Sequence, residues 1–240
     1  LVMAYLFLKA QGLAGKPVAD IRIDGAGKKV TRSDNCRVSD LSVSSDNLTF
    51  TYEAKSLPYP IDTSYYDNEK HTQADALSVI PFMDEMNYEG LSVSGLSDGY
   101  YGLTIGGEFI GRFTARELER GINMALLQNT PQYKQAMKIR QMNEERWLKE
   151  RKMREFYWVE YNLMRKTGML WACNEAAVDT LRKYRPHDIF LQWNGALWLQ
   201  YMHKGIREDC VNEQQDLVNQ IYEQNKPIPL QIEIKKFTDL

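Results

Sequence analysis

A serine flanked by glycines, Gly95-Leu96-Ser97-Asp98-Gly99, matches the G-x-S-x-G pattern of hydrolase nucleophile elbows. That chemistry needs a sharp strand-to-helix turn presenting the hydroxyl beside a histidine base and amide donors. Here the pentapeptide lies between two strand-like runs, where Gly, Ser and Asp are ordinary turn residues, so a hairpin turn is expected. Gly25-Ala26-Gly27 after Ile21-Arg22-Ile23 is half of a dinucleotide fingerprint. With no third glycine and no following helix, Asp24-Gly25 as a turn accounts for it better. His71 falls in a polar loop, His187 at a helix start, and His203 at the end of an aromatic helix. None has the spacing of a metal-binding motif. The sequence therefore assigns no catalytic, cofactor-binding or metal-ligating residue and implies no cofactor.

The three cysteines, Cys36, Cys173 and Cys210, are too widely spaced for a metal knuckle or a dense disulfide framework. One bridge between Cys173 and Cys210 and three free buried thiols are both open. Two aromatic clusters are conspicuous: Phe156-Tyr157-Trp158 with Tyr161, and Trp193 with Trp198 and Tyr201. Such side chains can stack on sugar rings. At helical spacing they more often fill a core or an interface, and that reading is preferred. A net charge of -2, with 43% hydrophobic and 26% charged residues, describes an ordinary globular chain. It offers no electrostatic footprint for nucleic acid or an anionic membrane.

The elements that must position these residues change character along the chain. Leu1-Val2-Met3-Ala4-Tyr5-Leu6-Phe7-Leu8 is an apolar helix-like run, too short to span a bilayer and lacking a signal peptide's basic leader. A helix apolar all round is normally buried, so its covering layers are expected upstream of this segment. Alternating strands are expected at residues 19–23 and 48–52, with an irregular loop over 57–67. Residues 91–94 and 101–105 are expected to pair as a hairpin, followed by a Gly106-Gly107 turn. Thr114-Ala115-Arg116-Glu117 fits a capping box opening a helix to about Gln128. Pro131 suits the first position of a second, long helix reaching about Lys166, with a mixed-charge, solvated face. Further helices are expected near 174–184, 188–204 and 208–225, and a last strand at 229–235.

Two blocks resemble a family. The opening Leu1-Val2-Met3-Ala4-Tyr5-Leu6-Phe7-Leu8-Lys9-Ala10-Gln11-Gly12 is similar to the final helix of the catalytic domain in SGNH/GDSL-type hydrolases. The second block is Leu91-x-Val93-x-Gly95-Leu96-x-x-Gly99-x-Tyr101-x-Leu103-x-Ile105-x-Gly107, continued by Glu117-Leu118-x-x-Gly121-x-Asn123-x-Ala125 and Thr130-Pro131-x-x-x-Gln135-Ala136. It resembles the region that follows the catalytic core in a bacterial subgroup of these enzymes. The resemblance implies a chain truncated after the Asp-x-x-His block that supplies the family's acid and base. The nucleophilic Ser and the oxyanion-hole Gly and Asn would then also precede Leu1, and Asn123 is not that Asn.

The fold class expected is α+β: the last helix of an α/β SGNH domain, then a small β-rich region and a helical carboxy-terminal region. The corresponding division is 1–15, 18–112 and 113–240. The resemblance implies the carboxy-terminal portion of an acylhydrolase acting on esters, acylated carbohydrate among them, and inactive alone. Its partner would be the amino-terminal catalytic domain in cis, with no nucleic acid and no membrane span, in a periplasmic or secreted location. The competing expectation is a non-catalytic carbohydrate-binding or interaction module built on the aromatic helices.

Overall fold

The computed structural model describes residues 1–64 and 72–237; His71 and the end of the loop expected over 57–67 lie outside them. The fold is α+β and divides into two compact units. The β unit comprises Leu1–Lys138 and Asn225–Leu240, and the helical unit comprises Ile139–Gln224. In sequence, then, the helical unit is inserted between the β unit's last helix start and its last strand.

The β unit contains β1 (Ala19–Asp24), β2 (Lys29–Asp34), β3 (Cys36–Val43), β4 (Asn47–Ala54), β5 (Glu89–Ser94), β6 (Tyr100–Ile105), β7 (Glu108–Thr114), the short β8 (Ile122–Asn123) and β9 (Leu230–Lys236). They form two sheets, ordered β2-β1-β5-β8 and β3-β4-β9-β6-β7. Alternation puts Leu48, Phe50 and Tyr52 of β4 and Leu230, Ile232 and Ile234 of β9 on one buried face. These pack with Ile21, Ile23, Leu91 and Val93 from the other sheet into one core. The tail strand is central rather than peripheral, because β9 pairs antiparallel with both β4 and β6.

The expected hairpin of residues 91–94 with 101–105 does not form. β5 pairs in parallel with β1 and antiparallel with β8, while β6 pairs with β7 and β9. The segment 95–99 is thus a crossover between sheets. The hairpin lies one step later, at Gly106 and Gly107, whose φ values of +58° and +83° suit glycine. β2 and β3 escaped the sequence reading because their largely polar faces give no apolar alternation.

The capping box is present as expected on α3 (Ala115–Arg120): Thr114 Oγ1 accepts the Glu117 amide at 3.2 Å, and Glu117 Oε2 accepts the Thr114 amide at 2.7 Å. That amide and the Thr114 hydroxyl hold the Glu117 carboxyl below its usual range. Thr114→Ala should lower β-unit stability by about 1 kcal/mol in thermal unfolding followed by far-UV circular dichroism. The helix stops at Arg120, short of the expected Gln128. Gly121 adopts φ +94°, and Ile122–Asn123 joins β5 instead.

α1 (Val2–Ala10) is buried mainly through Tyr5, whose hydroxyl donates at 2.6 Å to Glu85, the last residue of α2 (Phe82–Glu85). Tyr5 packs with Ile61, Ile80, Phe82 and Met83, while Met3, Leu6 and Phe7 are exposed. No helix among the described residues is long and apolar enough to cross a membrane.

α4 (Pro131–Val159) opens on proline and carries the chain into the helical unit, where it passes into a π-turn, Glu160–Met164. Then come α5 (Glu175–Tyr184), α6 (Ile189–Tyr201) and α7 (Lys204–Gln224). Asn174 caps α5 by accepting the Ala177 amide at 3.0 Å, and Asp188 caps α6 by accepting the Phe190 and Leu191 amides at 2.8 and 3.2 Å. Phe156, Val159, Met164, Leu181, Leu191 and Trp198 form this unit's core.

Candidate binding cleft on the helical unit

Ser97 sits exposed in the crossover. Lys236 Nζ donates to its Oγ at 2.8 Å, Ser97 Oγ and the Tyr101 hydroxyl share a bond of 3.2 Å, and Tyr101 donates to the Ser97 carbonyl at 2.9 Å. With the tyrosine proton spent on the carbonyl, the serine proton goes to the tyrosine oxygen. The partners are a lysine and a tyrosine, no helix follows, and a lysine ammonium offers donors only. This network ties the crossover to β9 and does not constitute a nucleophile elbow.

Gly25 and Gly27 lie in the β1–β2 turn, where Asp24 Oδ1 accepts the Gly27 amide at 2.8 Å. Cys36, Cys173 and Cys210 are free; Cys36 and Cys210 are buried, but Cys173 is exposed. Its sulfur lies 3.4 Å from His203 Nδ1. His187 belongs to a 3-10 turn, Arg185–His187, ahead of α6. Asn123 proves to be a latch. Its Oδ1 accepts the Glu89 and Ala125 amides at 2.9 and 3.1 Å, and its Nδ2 donates to the Met83 and Asn87 carbonyls at 3.1 and 3.2 Å.

The helical unit carries the more developed concave surface. Past Val159 the chain takes π geometry over Glu160–Met164, and Asn162 and Leu163 of that turn face a cleft they share with Leu191 of α6. π-turns of this kind occur frequently at functional sites. Together with Trp158, Lys166, His187 and Leu191, these residues line a cleft of about 360 Å3. Trp158 also borders a second cleft of about 390 Å3, with Trp147, Arg151, Arg154, Glu155 and Asn194. Its ring stacks at a tilt on Phe190 (centroids 5.2 Å apart), and Phe190 meets Trp193 edge-on at 5.5 Å.

The aromatic residues therefore divide. Phe156, Trp198 and Tyr201 are core, as packing predicts, whereas Trp147, Tyr157, Tyr161, Trp171, Phe190 and Trp193 remain exposed. Sequence reasoning missed Glu160, which organises this region. It is 1% exposed and accepts Trp198 Nε1 and the Trp171 amide, each at 2.8 Å. Nothing in the run Val159-Glu160-Tyr161 distinguishes it from the solvated carboxylates of the preceding turns.

Comparison with known proteins bears on both units. Residues 137–226 match the family model described as the diltiazem deacetylase C-terminal helical domain. No curated protein matches the chain. Among solved structures, the chain is similar to a gut microbial diltiazem-metabolizing enzyme, with 38% sequence identity and a TM-score of 0.91. That match covers 98% of this chain and 53% of the enzyme's chain, so the chain spans about half the length of the relative it matches.

Proposed function

We propose that this chain is the carboxy-terminal portion of an SGNH/GDSL-type ester hydrolase. The observation that carries the reading is the 38% identity, across 98% of this chain, to a diltiazem-metabolizing enzyme. The helical unit's match to a domain of a deacetylase agrees with it, since deacetylation of an ester is its hydrolysis. The SGNH assignment itself rests on the two sequence blocks quoted above, at residues 1–12 and 91–136.

In this reading a serine attacks the ester carbonyl, a histidine takes its proton and returns it to the leaving alcohol, and amide donors hold the oxyanion. Those groups belong to an amino-terminal catalytic domain in cis, and the present chain supplies scaffold. Residues 1–15 would complete that domain, followed by the β-rich 18–112 and the mainly helical 113–240. Esters, acylated carbohydrate among them, are the substrate class and an extracytoplasmic compartment the setting, both by the same resemblance.

Acetate release from 4-nitrophenyl acetate and from diltiazem, measured for this chain and for the polypeptide encoded together with its upstream sequence, tests the proposal. Turnover is expected only from the longer polypeptide. An upstream frame lacking Gly-Asp-Ser and Asp-x-x-His blocks would sink the SGNH assignment. Hydrolysis by this chain alone, abolished by Ser97→Ala, would transfer the chemistry to Ser97.

A further inference from the structure

We infer that the two clefts meeting at Trp158 form a binding site for a neutral saccharide chain. This goes beyond the ester-hydrolase reading and does not depend on it. Beside the clefts rather than in their lining, Trp193 is 66% exposed, and its ring meets Phe190, which in turn meets Trp158. An indole fixed in this way presents a flat apolar face whose rotamer freedom is already restricted, so little entropy is lost when a ligand ring lies on it. Trp147, on the far side of Trp158, offers a second such face and is braced by the Arg154 guanidinium 5.5 Å from its centroid. Sugar rings carry a C–H face that packs on aromatic surface and a rim of hydroxyls that both donate and accept.

The polar lining fits that rim. Lys166 brings donors, Asp188 keeps one carboxylate oxygen beyond its capping role, and Asn162 keeps its amide oxygen after donating to the Trp158 carbonyl at 2.9 Å. Charge in the two clefts is largely offset. Lys166 and Asp188 offset each other in the first. In the second, Arg151 is paired with Glu155 at 2.7 Å and Arg154 approaches Glu150 at 3.7 Å. An anionic ligand would meet little uncompensated positive field, whereas a neutral polyol needs none. A protein-docking patch is a poorer fit to the first cleft, because interface cores are depleted in Lys and Asp, and Lys166 and Asp188 stand inside it. The first cleft's volume, about 360 Å3, lies within the range of small-ligand sites.

Native affinity electrophoresis of the full chain tests this, in gels containing galactomannan, xyloglucan or dextran, with polygalacturonate as the acidic control. Retarded migration is expected in at least one neutral gel and none in polygalacturonate. Titration of oligosaccharides from the retarding polymer should show affinity reduced by about tenfold in Trp193→Ala and in Asn162→Ala, with partial recovery in Trp193→Phe. Trp193 is exposed, so unchanged circular dichroism is expected for its variants. The proposal is overturned if no neutral gel retards the protein, or if retardation survives both alanine variants. It is likewise overturned if Trp193→Ala abolishes self-association in sedimentation instead of glycan binding. None of these outcomes alters the expected acetate release, so the two readings fail separately.

Discussion

Glu160→Ala is expected to destabilise the helical unit by about 3–5 kcal/mol, enough to unfold it or leave it marginal. The side chain is 1% exposed and serves two donors at once, Trp198 Nε1 and the Trp171 amide, each at 2.8 Å. Truncation would strand the indole N–H of a fully buried tryptophan and leave a void where the carboxyl group had been. It would also release Trp171, whose φ of +62° is unfavourable for a bulky side chain and whose amide Glu160 holds. Glu160→Gln keeps one acceptor oxygen but aims an NH2 group at the other donor, so a smaller loss of about 1–3 kcal/mol is expected. All 5 tryptophans lie within Ile139–Gln224, so tryptophan fluorescence during urea titration reads this unit alone. A midpoint for Glu160→Ala within experimental error of the unaltered chain would refute the role assigned to the carboxyl group.

What was legible in the sequence was local. The capping box at Thr114, the proline opening α4, and the ends of α5, α6 and α7 depend on residues a turn or less apart, and these elements lie where expected to within a few residues. What was not legible depends on distant partners. Residues 91–94 and 101–105 look like a hairpin because they are adjacent and strand-like. β5 instead satisfies its backbone on β1, and β6 does so on β9, more than a hundred residues later. The end of α3 was overshot because Asn123, a weak helix former, is needed where it bonds Glu89, Met83 and Asn87.

The candidate cleft was half legible. The aromatic residues that line it were visible, but helical spacing alone assigned them to a core. Phe156 and Trp158, two residues apart on α4, and Trp193 and Trp198, five apart on α6, fall on different sides of their helices, and which side is covered depends on the neighbouring helices. The buried acids were invisible altogether. A glutamate at the start of a strand, or just past the end of a charged helix, looks like surface until its neighbours are known.

The second large effect concerns such an acid in the β unit. Burial pushes the Glu89 carboxyl up to about 7, only partly opposed by hydrogen bonds that Tyr52 Oη and Gln132 Nε2 donate to its Oε1 at 2.8 and 3.2 Å. Burial and the facing Glu89 also push the Tyr52 phenol upward. Glu89 Oε2 and Gln132 Oε1 accept no hydrogen bond among the described residues, which favours a proton on the carboxyl group. The folded state therefore binds that proton more tightly than the unfolded chain, whose carboxyl titrates near 4.5. The associated stability is fully present below 4.5 and is lost as pH rises through 7, by about 3 kcal/mol in all. Glu85, Glu117 and Glu213, whose carboxyls are held below their usual range, act in the opposite sense and at lower pH, so the window above 5 belongs to Glu89. Glu89→Gln should remove the slope. Its amide oxygen can take both donors, while its NH2 can donate to Gln132 Oε1, and the group carries no charge to desolvate. Hydrogen exchange of the β4 and β5 amides at pH 5 and pH 8 reads the β unit without reference to the tryptophans. The unaltered chain should lose protection between the two pH values beyond the intrinsic rate change, and Glu89→Gln should retain it, ending about 1–3 kcal/mol more stable at pH 8. Equal losses in both proteins would show that the carboxyl group of Glu89 is not the titrating element.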